Sequence, residues 1–492
     1  MIPMDAFRLS LRAARSICFA LVALITISPQ TLWADSPDGP NVLFLICDDL
    51  NCDLGCYGHK QVRTPNIDNL AKRGFRFERA YCQYPLCGPS RASFMTSLYP
   101  EQTLVTSNPD FLRGHLPKVT TLPQMFRKQG YFATRIGKIF HYGVPGEIGT
   151  GGYDDPKSWD YTINPRGRDK DEEDLIFSLR PGEYGGIVSW LAAEGADAEQ
   201  TDGIAAREAV KMMRRHVERD EKFFLAVGLY RPHTPYVAPK SYFSAYPPKQ
   251  MEIPQIPEDY LDTIPAGARK KILKKRVHHE MSHEHARQAK QAYYASVSFA
   301  DAQIGLILNA LKELGIEDDT IVLFTSDHGY HLGEHGHWLK TTLYENAARV
   351  PLIMAGPGIP ASGESTPALA EMIDIYPTLA QLCGLNPPAY LEGVSLTETF
   401  ADRNAQPRTS ALTMLTEAYS IRTPDFRYSE WGENAEMGAE LYDHRVDPQE
   451  MRNLIDDPNY KLKAVELKKL LQQRSQAARR PPEGLKQVRS LK

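Results

Sequence analysis

Five largely apolar runs mark the predicted strands of this chain. They cover residues 41–47, 131–136, 223–230, 320–326 and 350–354. A strand with one solvated face alternates apolar and polar residues, whereas a nearly continuous apolar run is typical of a strand buried on both faces. The pattern therefore predicts an α/β fold built on a large, mixed, mostly parallel sheet that is flanked by helices.

Helical segments separate these runs. Thr64-Pro-Asn-Ile-Asp68 opens a predicted helix that reaches about Gly74, and further helices are expected near residues 202–217 and 289–314. Strands that alternate with helices in this way are typical of parallel sheets with helical crossovers.

The pattern changes after about residue 400. Short strand-like pieces at 419–423, 427–431 and 440–442 precede a basic helix that starts near Tyr460. We interpret this end of the chain as a small α+β subdomain with an antiparallel sheet. Two earlier segments lack a clear period: residues 144–200 predict long loops, and residues 231–288 predict a surface insertion.

The first 34 residues are typical of a secretory signal peptide. Arginines precede an apolar run from Ile17 to Ile27, and Leu32-Trp33-Ala34 ends in a small residue suited to cleavage. A membrane anchor is the alternative, but the run is short against the roughly 20 apolar residues of a membrane-spanning helix. We expect an exported protein without a membrane anchor after cleavage, periplasmic, extracellular or lysosomal depending on the organism.

The charge of the chain argues against a nucleic-acid partner. The net charge of the 492 residues is −4; residues 1–34 contribute +2 from three arginines and one aspartate, so the remainder carries −6. Cations that bind an anionic substrate must therefore be local. Export permits disulfides, and Cys52 could pair with Cys56 or Cys82, but the sequence leaves the pairing open.

Charged or imidazole side chains follow four of the predicted strands at the point where each ends. In chain order they are Asp48 and Asp49, Lys138 with His141 close behind, His233, and Asp327 with His328. Functional sites of α/β folds assemble at the carboxyl ends of parallel strands. Paired carboxylates at such a place require neutralisation, and a hard divalent cation would supply it.

A cysteine begins another helical segment. In Cys87-Gly88-Pro89-Ser90-Arg91, the proline suits a first helical turn, and Arg91 lies one turn after Cys87 on the same side. This arrangement puts a nucleophile at a helix N-terminus beside a fixed cation, which favours an anionic group. A small buried cysteine beside a proline turn is the alternative that the local sequence leaves open.

The Cys87 run resembles the signature of the type I sulfatases, Cys-x-Pro-Ser-Arg followed by an apolar residue and Thr, here Met95-Thr96. Ser97 stands where the family often has Gly. The resemblance implies that Cys87 is oxidised after translation to formylglycine, whose hydrate attacks sulfur. It also implies a formylglycine-generating or anaerobic sulfatase-maturating enzyme as a partner, and an alkaline-phosphatase-like fold.

Further motifs are similar to the iduronate-2-sulfatase branch of that family, over roughly residues 40–455. They lie at 54–58, 64–68, 137–141, 223–227, 295–299, 326–329, 333–336 and 420–423. This similarity implies one Ca²⁺ ion, held by Asp48, Asp49, Asp327 and His328. Carboxylates suit a hard cation, and His328 departs from the all-oxygen preference of calcium.

The resemblance also implies roles for five other residues. Lys138 and His141 would contact the formylglycine diol, His233 and Lys340 would face the sulfate and the leaving oxygen, and Arg91 would hold the nucleophile loop. Fixed cations stabilise the charge that builds on sulfate oxygens. Histidine transfers protons near neutral pH, so His141 is the candidate base that regenerates the aldehyde.

Three alternatives are compared with this hypothesis. His279-Glu-Met-Ser-His283 fits a zinc-protease pattern, but its lysine-rich and arginine-rich surroundings favour a solvated helix. Phosphatases and phosphodiesterases share the fold, yet their usual Ser or Thr nucleophile and extra zinc ligands are not evident here. A non-catalytic carbohydrate-binding protein would not need the whole reactive set.

The sequence therefore predicts an exported sulfuric ester hydrolase. Its expected organisation is a signal peptide at 1–34, a catalytic domain at 35–400 and a C-terminal subdomain at 401–492. The expected substrate is a sulfated oligosaccharide or polysaccharide that loses the 2-O-sulfate of a uronic acid residue.

Overall fold

Strands and helices alternate along residues 38–489, the part of the chain that the computed structural model describes; the predicted signal peptide lies outside it. The strands are β1 Asn41–Asp48, β2 Phe75–Tyr81, β3 Phe132–Gly137, β4 Tyr161–Ile163, β5 Phe177–Ser178, β6 Ser189–Ala193, β7 Phe223–Pro232, β8 Tyr236–Pro239, β9 Thr320–Ser326, β10 His331–Leu332, β11 Trp338–Leu339, β12 Arg349–Ala355, β13 Ser365–Glu371, β14 Ala411–Leu415, β15 Ala418–Arg422, β16 Phe426–Trp431 and β17 Ala439–Asp443. The α-helices are α1 Pro65–Lys72, α2 Cys87–Thr96, α3 Pro100–Thr103, α4 Leu112–His115, α5 Leu122–Lys128, α6 Arg168–Asp171, α7 Thr201–Glu218, α8 Lys240–Phe243, α9 Tyr260–Thr263, α10 Ala266–Ile272, α11 Arg276–His279, α12 His283–Glu313, α13 Glu345–Ala348, α14 Ile375–Leu382, α15 Glu398–Ala401 and α16 Lys461–Ala478.

Eight strands form the central sheet, in the order β13-β2-β12-β9-β1-β7-β3-β4. β12 is antiparallel to both of its neighbours, and the other adjacent pairs are parallel. The predicted mixed, mostly parallel sheet of an α/β fold is thus confirmed. β1 lies between β9 and β7 near the middle of the sheet, where every one of its residues is buried.

Alternate residues of β1 pack against two different layers of helices. Leu43 and Leu45 belong to the core formed with α1, α7 and α12, whereas Phe44 and Ile46 belong to the core formed with α2, α5 and α14. Apolar side chains are therefore required on both faces, which explains the continuous apolar run in the sequence. Within residues 38–489, no helix is long and apolar enough to cross a bilayer.

The zinc-protease pattern does not form a metal site. α11 ends at His279 and α12 begins at His283, where the side chain of Ser282 caps the new helix by accepting from the backbone N–H of His285. Two zinc ligands at this spacing must share one face of a continuous helix. The break between the helices therefore excludes this alternative and replaces the single charged helix expected from the sequence.

The segment 144–200 contains more structure than the predicted long loops. β4 extends one edge of the central sheet by pairing with β3, and β5 and β6 join β8 in a separate three-stranded sheet. These strands have only two to five residues. Such short strands depend on their partners rather than on a periodic pattern of their own, so the sequence gives little indication of them.

The C-terminal part has the predicted antiparallel sheet and helix. β14, β15, β16 and β17 form a four-stranded meander, and α16 packs on it through Leu467 and Leu471. Lys468 and Lys469 of α16 are exposed, as expected for a solvated basic face. The domain boundary near residue 400 stays a prediction.

A buried ion-pair network connects this small sheet to the start of α13. Arg427 on β16 forms ion pairs with Glu450 and, at 2.5 Å, with Glu345 at the start of α13. Glu450 also lies 2.8 Å from His444. Burial opposes ionisation of Glu450, but the charges of Arg427 and His444 outweigh it and lower the pKa of this carboxyl to about 2.

We expect Arg427→Met to lower the free energy of unfolding by about 3–5 kcal/mol at pH 7, because it removes the guanidinium shared by Glu450 and Glu345. Glu450 would keep only His444, and Glu345 only the longer contact with Arg422. In the native protein, the lowered pKa of Glu450 stabilises the fold above its ordinary pKa, and this contribution is lost as pH falls through about 2. In the variant, Glu450 lacks the larger of its two cationic partners, so its pKa should rise and it should take up a proton at a higher pH than in the native protein. The difference in stability should therefore narrow between pH 7 and pH 4 in urea denaturation.

Arg445→Met is the matched control, because Arg445 pairs with Asp443 while 55% of its side chain is exposed. This change should lower the free energy of unfolding by less than about 1 kcal/mol. Equal losses in the two variants, or a loss at Arg427 that does not change with pH, would contradict the assigned role of the buried network.

Candidate active site

Side chains from four adjacent strands meet at the carboxyl edge of the central sheet. β3, β7, β1 and β9 are parallel neighbours, so their carboxyl ends lie side by side. The residues predicted from the sequence lie at these ends: Asp48 and Asp49 at β1, Lys138 after β3, His233 after β7, and Asp327 and His328 after β9.

Most of this group is closed to solvent, and exposed surface remains only at His233, Lys340 and the half-buried His141. Asp48, Asp49 and Cys87 are 0% exposed, whereas His233 is 5% and Lys340 is 9% exposed. A substrate therefore reaches the group from the side of His233 and Lys340. We call this side the mouth of the site.

Cys87 is the first residue of α2, and its thiol lies inside the group. Its Sγ is 3.1 Å from Lys340 Nζ, 3.4 Å from His328 Nε2 and 3.6 Å from Asp48 Oδ1. The structure thus favours a reactive position over a merely structural cysteine in an apolar pocket. The cysteines of residues 38–489 are all unpaired, so none of the disulfides considered for Cys52 is present.

Arg91 holds the start of α2 against the sheet. Its guanidinium donates to Asp48 Oδ1 and to Asp327 Oδ2, both at 3.0 Å. It also donates to the backbone carbonyls of Lys138 at 2.7 Å and Ile139 at 2.9 Å. The planar guanidinium satisfies four acceptors from three segments, a geometry that a lysine could not reproduce.

Two lysines pair with the two carboxylates at the end of β1. Lys138 Nζ lies 2.5 Å from Asp48 Oδ2, and Lys340 Nζ forms an ion pair with Asp49 Oδ1. With Arg91, they give three cations for the three carboxylates of the group. This balance explains how so many charges can be buried together.

The backbone is strained where it presents the reactive groups. Asp49 has φ 63°, and Leu339 and Thr341, on either side of Lys340, have φ 80° and 71°. Residues other than glycine occupy this left-handed region at a cost, and such strain concentrates at functional sites. The Tyr293 hydroxyl donates to the carbonyl of Asp49 at 2.8 Å and accepts from the backbone N–H of Asn51 at 3.0 Å, which fixes the turn.

The ring of His328 is oriented so that Nε2 faces the carboxylates. Its Nδ1 lies 2.9 Å from the carbonyl of Gly329 and must donate to it, which leaves the lone pair on Nε2. Nε2 lies 3.4 Å from Asp49 Oδ1 and 3.5 Å from Asp327 Oδ2. This tautomer is the one in which Nε2 can bind a metal ion.

The two other predicted histidines lie at the edge of the group. His233 Nε2 is 3.6 Å from Asp49 Oδ2, whereas His141 is half-buried and its Nδ1 has no hydrogen-bond partner among residues 38–489. Burial and then the charge of Lys138 lower the pKa of His141 to about 2. Its ring is therefore neutral and has a free acceptor atom.

The two aspartates after β1 have opposite pKa shifts. Burial opposes ionisation of Asp48, but Lys138, His233 and Arg91 outweigh it and lower its pKa well below the usual range. Burial raises the pKa of Asp49 to about 7, since Asp48 and Asp327 add to it and Lys340 opposes it only in part. The charge of Lys340 thus offsets the burial of Asp49 and its two acidic neighbours only in part.

The same aspartate has the geometry of a metal ligand. Asp49 Oδ2 is buried and has no hydrogen-bond partner among residues 38–489. Ligand atoms of Asp49, Asp327, His328 and Cys87 lie within 4.8 Å of one another. Asp48 belongs to an adjoining group with Cys87 and His233, and its oxygens pair with Arg91 and Lys138. Residues rich in carboxylate oxygens, with one oxygen left unpaired, fit a divalent cation.

Sequence reasoning missed the residues that support the site. Tyr293 lies on α12, where its pattern is that of an ordinary core tyrosine. His337 Nε2 lies 2.9 Å from the carbonyl of Lys340 and fixes the strained turn. The Ser90 hydroxyl donates to the carbonyl of Asp327. The signature around Cys87 includes Ser90 and could have indicated its role. No motif or periodic pattern indicated a role for Tyr293 or His337.

Comparison with known proteins decides the family. The sequence profile of the sulfatase family matches residues 40–385. The chain belongs to the sulfatase family. A second profile, that of the C-terminal part of N-sulphoglucosamine sulphohydrolase, matches residues 333–477. The protein is thus a sulfuric ester hydrolase, as the sequence predicted.

Three relatives are similar over most of the enzyme. Human (Homo sapiens) iduronate 2-sulfatase is 30% identical over 90% of this chain and 94% of its own. A sulfatase of Formosa agariphila is 34% identical over 88% of this chain and 86% of its own. The choline-sulfatase of Rhizobium meliloti is 31% identical over 85% of this chain and 83% of its own.

Solved structures share the fold. The phosphonate monoester hydrolase of Agrobacterium radiobacter superposes with a TM-score of 0.75 at 24% identity, covering 89% of this chain and 96% of its own. A 2-O GAG sulfatase superposes with a TM-score of 0.69 at 23% identity, covering 90% and 93%. These similarities confirm the predicted alkaline-phosphatase-like fold.

We expect Tyr293→Phe to lower the free energy of unfolding by about 1–3 kcal/mol, because it leaves the Asn51 N–H and the Asp49 carbonyl buried without a partner. Sulfatase activity should fall with it, since Asp49 loses the contact that holds its left-handed backbone. Denaturant unfolding and turnover of an aryl sulfate measure the two effects.

Tyr294→Phe is the control from the next position of the same helix. Its hydroxyl makes only longer contacts, 3.2 Å to His59 and 3.4 Å to Asp53. The variant should therefore lose less than about 1 kcal/mol of unfolding free energy and keep turnover near the native value. A larger effect at Tyr294 than at Tyr293 would refute the support role of Tyr293.

Proposed function

We propose that the enzyme hydrolyses the 2-O-sulfate of a uronic acid residue in a sulfated carbohydrate. The placement of Cys87 carries the proposal for the reaction: its Sγ lies 3.1 Å from Lys340 Nζ, within a buried group of carboxylates and cations. The similarity to human iduronate 2-sulfatase supports the uronate position. A choline-sulfatase is about as similar, so the saccharide is the part of the proposal that most needs a test.

Cys87 is proposed to be converted to formylglycine by a formylglycine-generating or anaerobic sulfatase-maturating enzyme. The hydrated aldehyde would supply an oxygen nucleophile for the sulfur atom. Because Cys87 is 0% exposed in the folded enzyme, the conversion is expected before the chain folds. Residues 1–34 are proposed to export the chain as a signal peptide, which fits maturation of an extended chain.

The cations of the group are proposed to stabilise the sulfate as negative charge develops on its oxygens. Lys340 lies at the mouth, next to Cys87. Lys138 lies deeper in the group, where it pairs with Asp48. Loss of one fixed donor of this kind typically lowers the rate by ~10²–10³. Arg91 keeps its contacts with the protein and is proposed to position Cys87.

Two histidines are proposed to move protons. His233, which is 5% exposed at the mouth, would face the leaving oxygen of the sugar. His141 would act as a base, since its Nδ1 has no hydrogen-bond partner among residues 38–489 and is available to accept a proton. Neutral imidazole is the form that accepts a proton.

Asp49, Asp327, His328 and Asp48 are proposed to hold one Ca²⁺ ion. The ion would add positive charge beside the sulfate oxygens. The unpaired Asp49 Oδ2 and the lone pair on His328 Nε2, which faces the carboxylates, support this assignment.

A desulfation screen tests the proposed substrate. We expect a disaccharide with a 2-O-sulfated uronate to be hydrolysed at least about tenfold more efficiently, in kcat/KM, than a 6-O-sulfated glucosamine, choline sulfate or a phosphate monoester. Cys87→Ala should abolish turnover, and peptide mass analysis of the active enzyme should show an aldehyde at position 87.

Cys82→Ala is the matched control, because Cys82 is also 0% exposed but packs in an apolar core cluster, where its Sγ donates to the carbonyl of Ala347, at 3.8 Å. This variant should keep the substrate preference. Preference for another ester would overturn the substrate assignment, and full activity with a thiol at position 87 would overturn the nucleophile.

Calcium binding is tested by thermal unfolding after removal of metal with a chelator. Adding Ca²⁺ to 100 times its dissociation constant should raise the free energy of unfolding by about 2.7 kcal/mol and restore turnover. Asp327→Asn should lose most of this increase. Asp301→Asn, a change of another buried aspartate, on α12, should keep it. Equal responses to Ca²⁺ in the two variants would place the ion elsewhere.

A further inference from the structure

A dense run of cations lies in the insertion between β8 and α12. Six of the eight residues from Arg269 to Arg276 are Lys or Arg, and none is acidic. The run spans the end of α10 and the start of α11. The run is strongly positive although the chain as a whole has a net charge of −4. The positive charge is therefore a local feature of this surface.

The lysines of this run lack acidic partners. Arg269 pairs with Asp262 at 3.4 Å, and Arg276 pairs with Glu280 at 2.5 Å. Lys270, Lys271, Lys274 and Lys275 form no ion pair with any carboxylate of residues 38–489. Four neighbouring ammonium groups therefore repel one another, and Glu417 and Glu183 offset the charges of Lys271 and Lys275 only from beyond ion-pair distance.

The run lies beside the mouth of the active site. Ile272 packs in the same apolar cluster as Leu343 and Tyr344, which follow Lys340 along the chain. Burial, the charge of Lys274 and then that of Lys340 itself lower the pKa of Lys275. The catalytic lysine and the end of the basic run therefore share one electrostatic environment.

The loop between β5 and β6 places another cation, Arg180, close to Lys275. Lys275 Nζ donates to the carbonyl of Gly186 in the loop between β5 and β6. Arg180 of that loop also contributes to the lowered pKa of Lys275. Arg180 and Lys274 are exposed, and the pair of Arg180 with Glu183 is a loose one, at 3.5 Å in solvent. These cations are thus free to meet a ligand.

We propose that Lys274, Lys275 and Arg180 form a subsite for a second anionic group of the substrate, a sulfate or carboxylate on a sugar next to the one that is desulfated. This inference rests on the proposed function at Cys87 and extends it. The preferred substrate is then an oligosaccharide or polysaccharide that carries several negative charges. The subsite would disfavour a small ester with a cationic group, such as choline sulfate.

Binding of a size-defined heparin hexasaccharide to the Cys87→Ala protein tests the subsite without turnover. Adding Arg180→Gln and Lys274→Gln should raise the dissociation constant about tenfold at low salt, and the effect should shrink as salt screens the charges. In the active enzyme, the same pair of changes should raise KM for the hexasaccharide about tenfold more than KM for an aryl sulfate. Hexasaccharides that are carboxyl-reduced or selectively desulfated distinguish a carboxylate from a sulfate as the bound group.

Lys461→Gln with Lys469→Gln is the matched control. Both lysines are exposed on α16, and the change in net charge is the same. The control should keep the affinity and the activity. Equal losses in the two double variants, or an unchanged hexasaccharide affinity in the first, would overturn the subsite. If the uronate 2-O-sulfate resists hydrolysis while the first variant still loses hexasaccharide binding, the proposed function fails and the subsite stands.

Discussion

The charge balance among three buried carboxylates is the constraint on which the centre of this protein depends. Asp48, Asp49 and Asp327 are 0% exposed, and an unpaired carboxylate at such a depth costs several kcal/mol. The balancing cations come from three separate segments: Arg91 from α2, Lys138 from the end of β3 and Lys340 from the turn after β11. Each ion pair therefore fixes a segment as well as a charge. Fold and site are stabilised by the same contacts.

Much of the fold could be predicted because its central strands are buried on both faces. β1, β7 and β9 lie within the sheet and read as apolar runs, and their ends locate the acids and histidines. β2 was missed because Arg76 and Glu78 interrupt its apolar pattern and pair with each other at the surface. The antiparallel direction of β12 could not be predicted either, because a buried strand has the same apolar pattern whether its neighbours are parallel or antiparallel.

The candidate site was predictable only where a strand or a signature marked it. Lys340 was inferred from the family resemblance alone, because β11 has two residues and the turn around it uses left-handed backbone at Leu339 and Thr341. Such a conformation is imposed by tertiary contacts, here the bond from His337 to the Lys340 carbonyl. No local propensity encodes it. The supporting residues were missed for the same reason.

The proposed function separates the chemistry from the recognition of the substrate. The charges that are proposed to act on a sulfate are buried and hold one another in place, so a change among them would disturb the fold. The insertion that contains Lys274 and the loop that contains Arg180 lie outside this balance, and their charges are not needed to neutralise any carboxylate of the core. Loops of this kind can vary without cost to the sheet. The relatives include an iduronate 2-sulfatase and a choline-sulfatase of similar identity to this chain. The proposed arrangement, with the sulfate bound inside and the rest of the substrate outside, would allow such different substrates.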